Sequence, residues 1–144
     1  MRIKCLTILA LPLVLLACSS KPEVSPEAVM VEKTMWVTAY CHCQKCTSWT
    51  TDSKGKPVFA AGSQKGQRKE IGVTANGAFA KKGTIAAPSS YPFGTVMYVP
   101  GYGWGTVQDR GGAIKNDKLD LYFKSHKKAL EWGRQRLTVT VYLD

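Results

Sequence analysis

The sequence predicts an all-β fold, a small closed barrel of six or seven short strands with one short helix before the last strand. Short segments of alternating apolar and polar residues recur along the chain, and glycine or proline separates nearly all of them. The chain has 144 residues, of which 44% are hydrophobic and 21% charged, so it has room for one domain with one core. Closure into a barrel removes the exposed edges that so many short strands would otherwise leave.

Residues 1–17 are predicted to be a lipoprotein signal peptide. A short basic head precedes an apolar run that is too short to span a bilayer, and Leu15-Leu16-Ala17-Cys18 closes it. This tetrapeptide resembles a bacterial lipobox, so Cys18 is expected to become the lipidated N-terminus; an ordinary cleaved signal peptide is the alternative. Ser19 stands where an inner-membrane retention signal would place aspartate, which predicts an outer-membrane anchor and a domain facing the periplasm.

Residues 18–33 are predicted to be a lipidated tether, and residues 34–144 the folded domain. The tether contains two prolines and three glutamates with little apolar periodicity. The whole chain carries a formal net charge of +10, which favours anionic partners. In the cell envelope these are lipid head groups and the carboxylates of peptidoglycan peptides, and an exported chain is not expected to bind nucleic acid.

The folded part begins with alternation from Thr34 to Tyr40, which predicts the first strand. The polar stretch 47–70 is then predicted to be a long surface loop. Further short strands are predicted at 72–74, 84–87, 95–99, 105–109, 119–123 and 137–143. Ser125 is the expected N-cap of the single helix, which carries an apolar stripe and ends near Gly133.

Two of the ten acidic residues occupy positions where a carboxylate needs an explanation, while the other eight lie where a solvated charge is expected. Asp120 lies within an alternating strand, on the face opposite its leucines. Asp109 ends another strand and enters an Arg-Gly-Gly turn. In one shared cleft, burial and mutual repulsion would raise the pKa of one carboxyl and keep it protonated as a general acid. In the alternative interpretation, Asp109 caps the turn or pairs with Arg110, and Asp120 is a strand residue without a functional role.

Five segments resemble the three-aspartate (3D) domain family: Val37–Tyr40, Gly72–Gly77, Pro92–Thr95, Asp109–Lys115 and Leu119–Phe123. The resemblance covers approximately residues 36–143. It implies a double-psi β-barrel, shared with the catalytic domain of membrane-bound lytic transglycosylase A. It also implies that Asp120 is the catalytic aspartate and Asp109 its supporting partner.

The resemblance implies a carbon–oxygen lyase reaction without a cofactor. The bond between N-acetylmuramic acid and N-acetylglucosamine in peptidoglycan would be cleaved with formation of a 1,6-anhydro product. One departure affects this expectation, because the family places its first aspartate just before Pro88, where this chain has Ala87. A barrel that binds glycan strands without cleaving them is therefore the alternative function.

Six residues near the two carboxylates are predicted to contact the glycan: Tyr102, Trp104, Gly111, Gly112, Lys115 and Tyr122. The two glycines allow a sugar to approach the backbone closely. The aromatic side chains of the glycine-rich stretch 101–105 could stack on sugar rings, although packing at the barrel rim is an equally good interpretation.

Three thiols and an imidazole follow the first strand directly, in Cys41, His42, Cys43 and Cys46. A disulfide between Cys46 and either Cys41 or Cys43 suits an exported protein. The second interpretation is a metal site, with zinc held by the three cysteines and His42, and the third is free or partner-linked thiols. An envelope metal or thiol protein is accordingly a further functional class.

Overall fold

The computed structural model describes residues 21–143. The predicted signal peptide and the lipidation site at Cys18 lie outside the described residues. Within residues 21–143, no helix has the length and apolar character that crossing a bilayer requires.

The described residues form eight strands and two short helices. In chain order these are β1 (Val29–Tyr40), α1 (Gln44–Thr47), β2 (Trp49–Thr51), β3 (Pro57–Phe59), β4 (Thr84–Ala86), β5 (Val96–Val99), β6 (Gly103–Asp109), β7 (Lys118–Tyr122), α2 (His126–Trp132) and β8 (Gln135–Leu143).

Six strands close into a barrel in the order β1-β7-β4-β6-β5-β8, while β2 and β3 form a separate two-stranded sheet. The pairs β1/β7 and β4/β6 are parallel, and the remaining neighbours in the barrel are antiparallel. This closed barrel, with α2 before the last strand, confirms the predicted small all-β fold.

Aliphatic side chains from alternate strand positions fill the barrel. On β7, Leu119 and Leu121 are fully buried, and on β1 the same is true of Met35 and Val37. The core is completed by Ile85, Ala87, Tyr91, Met97, Val99, Tyr102, Val107, Val139 and Val141. Because successive side chains of a strand point to opposite faces, the intervening residues of β1 and β7 lie on the outer face of the barrel wall.

The first strand begins at Val29, five residues earlier than the sequence predicted, so residues 29–33 belong to the fold rather than to the tether. Val29 to Val37 pair with β8, from Leu143 back to Gln135. Main-chain pairing forms this extension, and the side chains of Val29 and Met30 stay exposed. Residues 29–33 show no alternation of apolar and polar side chains, so periodicity did not predict them as a strand.

One loop prediction and one strand prediction also change. Residues 47–70 contain the end of α1 and the β2/β3 hairpin, so this segment is more ordered than a surface loop. The predicted strand at 72–74 is reduced to one isolated β-bridge, between Val73 and Phe79. The turn between these residues is held by Thr74, whose Oγ1 donates to Asn76 Oδ1 and to the carbonyl of Ala78. The helix prediction is confirmed, since Ser125 accepts a hydrogen bond from the Lys128 amide at 3.3 Å.

The close approach of β6 to the residue before β4 predicts a steric requirement for glycine. A Cβ added at Gly105 would lie 2.7 Å from the Gly83 carbonyl oxygen and 2.7 Å from Ile85 Cδ1. Gly105→Ala should lower the free energy of unfolding by about 1–3 kcal/mol, the usual cost of overpacking, as measured by chemical denaturation. Gly112→Ala is the control, because a Cβ there meets nothing within 4 Å, and equal losses in both variants would contradict the packing argument.

Candidate active site

The two carboxylates singled out in the sequence share one cleft of about 350 Å³ on the outer face of the barrel wall. Asp120 comes from β7 and Asp109 from the end of β6. The floor between and beside them consists of three buried residues from neighbouring strands: Tyr40, Ala86 and Tyr122.

Strand register sets the spacing of the two acids. Asp120 pairs with Thr38 on one side and with Ala86 on the other, and Ala86 pairs in turn with Asp109. Two strand spacings separate the two aspartates, which places their Cα atoms roughly 10 Å apart. Since Ala86 contributes only a methyl group between them, the cleft is open at this point.

The surroundings of Asp120 raise the pKa of its carboxyl group. Burial raises its pKa from the ordinary 3.8 to about 6, against the opposing effect of the hydrogen bond from Thr38, and the negative charge of Asp109 adds to the rise. Thr38 Oγ1 donates to Asp120 Oδ1 at 2.8 Å. No other hydrogen bond to this carboxyl comes from the described residues, so Oδ2 is free to face a ligand.

Asp109 is held by three donors. Tyr40 Oη donates to its Oδ2 at 2.6 Å, while the amides of Ala75 and Arg110 donate to Oδ1 at 3.0 and 2.8 Å. A carboxylate anion can accept all three bonds. The two acids therefore differ in surroundings, one with a single hydrogen bond and the other fixed from three directions.

Two further ionisable side chains surround Asp109. Burial raises the pKa of Tyr40, and the negative charge of Asp109 raises it further, so the phenol remains a hydrogen-bond donor. Burial lowers the pKa of Lys69, with the charge of Asp109 acting in the opposite direction. Lys69 lines the cleft and thus supplies an amine close to the carboxylates.

The guanidinium of Arg110 does not pair with the Asp109 carboxylate, contrary to the alternative interpretation of the sequence. It donates instead to the backbone carbonyls of Ala87, Asp109 and Tyr91 at 3.2, 3.1 and 2.8 Å, and it lies 4.1 Å from the centre of the Phe93 ring. Arg110 thereby ties the loop that follows β4 to the end of β6.

Ala87, where the family resemblance leads one to expect an aspartate, is fully buried in the core and does not line the cleft. Its backbone amide bonds to the Asp109 carbonyl at 3.3 Å. Among the described residues, the acidic side chains that line this cleft are Asp109 and Asp120.

The predicted glycan-binding residues fall into two groups. Gly111, Gly112 and Tyr122 line the cleft, and Lys115 lines an adjoining cavity together with the two glycines. The other two, Tyr102 and Trp104, do not line the cleft.

Tyr102 is a core residue rather than part of the cleft. Its Oη donates to the Tyr122 carbonyl and accepts from the Gly83 amide, each at 2.9 Å, and burial raises its pKa to about 12. Trp104 packs against Tyr98 and Tyr142 on the wall formed by β5, β6 and β8. Both aromatic side chains therefore have a packing role, Tyr102 in the core and Trp104 on the wall.

The structure separates His42 from the thiols. Its Nδ1 lies 2.8 Å from Tyr122 Oη, and the ring stacks on Tyr122 and lines the cleft. The imidazole next to Cys41, Cys43 and Cys46 belongs to His126, which replaces His42 in the predicted cluster. All three thiols are free, unlike in either predicted disulfide.

Sequence reasoning did not assign site roles to Thr38, Tyr40, Lys69 or Ala75. The alternation of β1 puts Thr38 and Tyr40 on the same face of the strand. The sequence pattern could therefore have indicated that both side chains face the same side of the barrel wall. Lys69 and Ala75 come from irregular segments with no periodic signal, and only the folded chain brings them to Asp109.

The protein is a small closed β-barrel with two carboxylates, Asp109 and Asp120, in one cleft on its outer wall. Residues 83–143, which include both aspartates, match the 3D domain family. The match confirms the predicted family resemblance over that part of the chain.

Two relatives come from Bacillus subtilis strain 168. The cell wall-binding protein YocH is 40% identical over 75 residues, which are 49% of this chain and 26% of the relative. A protein named for cell wall shaping, YabE, is 33% identical over 54 residues, 38% of this chain and 13% of the relative. This chain therefore spans only a minor part of either relative.

The raised pKa of Asp120 predicts a pH-dependent difference in stability between the wild type and Asp120→Asn. The protonated acid favours folding below the unfolded pKa, and this contribution is lost as pH rises through about 6. The variant should gain roughly 2–3 kcal/mol in free energy of unfolding relative to the wild type between about pH 4 and about pH 7. Urea denaturation across that range measures it.

The control is Asp117→Asn, which removes an exposed carboxylate from the turn before β7. Parallel pH profiles for Asp120→Asn and the wild type would mean that Asp120 does not titrate as the structure indicates.

Proposed function

We propose that this protein is a peptidoglycan lytic transglycosylase, anchored by Cys18 to the outer membrane and facing the periplasm. The observation that carries the proposal is the partly buried Asp120 carboxyl, with a pKa of about 6, in the same cleft as a firmly held Asp109. The family match and the names of the two relatives support a cell-wall role more broadly.

Asp120 acts first as a general acid and then as a general base. A group with a pKa close to ambient pH can exchange its proton in both directions. The protonated carboxyl gives its proton to the glycosidic oxygen while the bond from that oxygen to C1 of N-acetylmuramic acid breaks. The resulting carboxylate takes the proton of the C6 hydroxyl as O6 bonds to C1, which yields the 1,6-anhydro sugar and restores the acid.

Asp109 has a supporting role in this scheme. Its negative charge contributes to the raised pKa of Asp120, and its three hydrogen bonds hold it in one orientation. Because the sugar supplies its own nucleophile, one carboxyl that changes roles is sufficient, in contrast to glycoside hydrolysis with two acting carboxylates.

A cationic groove beside the cleft suits the peptide part of the substrate. This groove shares His42, Ala80 and Tyr122 with the cleft, and four exposed lysines line it: Lys81, Lys82, Lys124 and Lys128. Within residues 21–143 none of the four forms an ion pair. Their ammonium groups would attract the carboxylates of peptidoglycan peptides.

A glycan-binding barrel without turnover is the second candidate function. The presence of Ala87, where the resemblance leads one to expect an aspartate, favours it, since the described residues supply two carboxylates to the cleft. Both functions require glycan binding, so only product formation separates them.

Incubation of the purified full chain with peptidoglycan should release 1,6-anhydromuropeptides, detected by mass spectrometry. Asp120→Asn should lower the rate at least about 100-fold, because the proton donor is lost, while sedimentation with peptidoglycan is kept. The wild-type rate should fall as pH rises through about 6, where Asp120 loses its proton.

Asp117→Asn is the matched control and should retain full activity. Wild-type protein that sediments with peptidoglycan but releases no anhydro product would establish the binding function instead. Release that is unaffected by Asp120→Asn would contradict the assigned acid.

Neutralising the cationic groove should weaken peptidoglycan binding. Lys81→Gln/Lys124→Gln is expected to reduce sedimentation at low salt, with the difference from the wild type shrinking as salt screens the charges. Lys54→Gln/Lys65→Gln is the charge-matched control, since both of these lysines are exposed and line none of the cavities described above. An equal reduction in both double variants would show that only the net charge matters.

A further inference from the structure

We propose that Cys41, Cys43, Cys46 and His126 form a structural zinc site. One ligand atom from each residue lies within 4.8 Å of all the others. His126 Nδ1 is 3.3 Å from Cys46 Sγ, 3.5 Å from Cys43 Sγ and 4.0 Å from Cys41 Sγ. Cys41 Sγ and Cys46 Sγ are 3.7 Å apart.

These separations match the edges of a zinc-centred tetrahedron. Zinc lies about 2.3 Å from a thiolate sulfur and about 2.0–2.1 Å from an imidazole nitrogen. Tetrahedral angles then place two sulfurs roughly 3.8 Å apart, and a sulfur and a nitrogen roughly 3.6 Å apart. The four atoms therefore already occupy approximately the positions that the ion requires, with a Cys₃His donor set that is common in structural zinc sites.

Local structure explains how a short segment supplies three of the ligands. Cys43 precedes α1, and its carbonyl accepts the amides of Cys46 and Thr47 at 3.1 and 3.0 Å. This single turn of helix brings Cys46 back towards Cys43. Cys41 directly follows β1 and is 2% exposed, so its thiol faces the cluster from the buried side.

The fourth ligand comes from a distant part of the chain. His126 is the first residue of α2 and lies 85 positions after Cys41. A disulfide between two of the cysteines would leave one thiol and this imidazole without a partner, whereas a metal ion uses all four groups. The other histidine, His42, is already engaged with Tyr122 in the cleft.

With four protein ligands the site is closed, which is characteristic of structural rather than catalytic zinc. The three thiols would bind as thiolates and release their protons to solvent. The ion would join the end of β1 to the start of α2, and it would fix the backbone on both sides of His42, a wall residue of the cleft. The proposal does not depend on the cleft's being catalytic.

Elemental analysis of the purified full chain should find one zinc ion per chain. Competition with a chromogenic chelator should show that His126→Ala and Cys46→Ser each weaken Zn²⁺ binding at least about tenfold, since even loss of an outer-shell partner costs that much. His42→Ala is the matched control and should keep wild-type affinity. Asp120→Asn should also keep it, which separates this test from the test of catalysis.

Thiol titration provides a second measurement that does not depend on a variant's folding. In the wild-type chain, three additional thiols should become reactive when a strong chelator is added. The proposal is overturned if the chain neither contains nor takes up zinc, or if His42→Ala weakens binding while His126→Ala does not. A disulfide among the three cysteines, found by mass spectrometry of the chain isolated without reductant, would also overturn it.

Discussion

The parallel pairing of β1 with β7 is the constraint on which the cleft depends. Val37 and Leu119 are paired and fully buried, which obliges the next pair, Thr38 and Asp120, to face outwards. A slip of one residue would move a carboxylate into the aliphatic core and expose a leucine. The hydrophobic interior thus determines where the titratable group lies, and Thr38 becomes its hydrogen-bond partner by register alone.

The sequence was sufficient for those features that follow from local periodicity and turn chemistry. The barrel strands, the helix after Ser125 and the outward orientation of Asp120 all follow from side-chain alternation or capping. Elimination among ten acidic residues then identified Asp109 and Asp120 as a pair, and the structure places both in one cleft.

The features that could not be predicted depend on contacts between distant segments. Residues 29–33 join β1 through main-chain bonds to β8, which are independent of side-chain type. Lys69 and the Ala75 amide reach the cleft from irregular loops. His42 is next to two cysteines in sequence but turns towards Tyr122, whereas His126 reaches the thiols only because α2 starts beside the end of β1.

The hydrogen bonds of the Arg110 guanidinium do not depend on the side chains of its partners. The guanidinium bonds to the carbonyl oxygens of Ala87, Asp109 and Tyr91, which every amino acid possesses. Substitutions in the loop after β4 would therefore leave the acceptors of these three hydrogen bonds in place. The hydrogen bond from Arg110 to position 87 is therefore independent of the side chain that stands there.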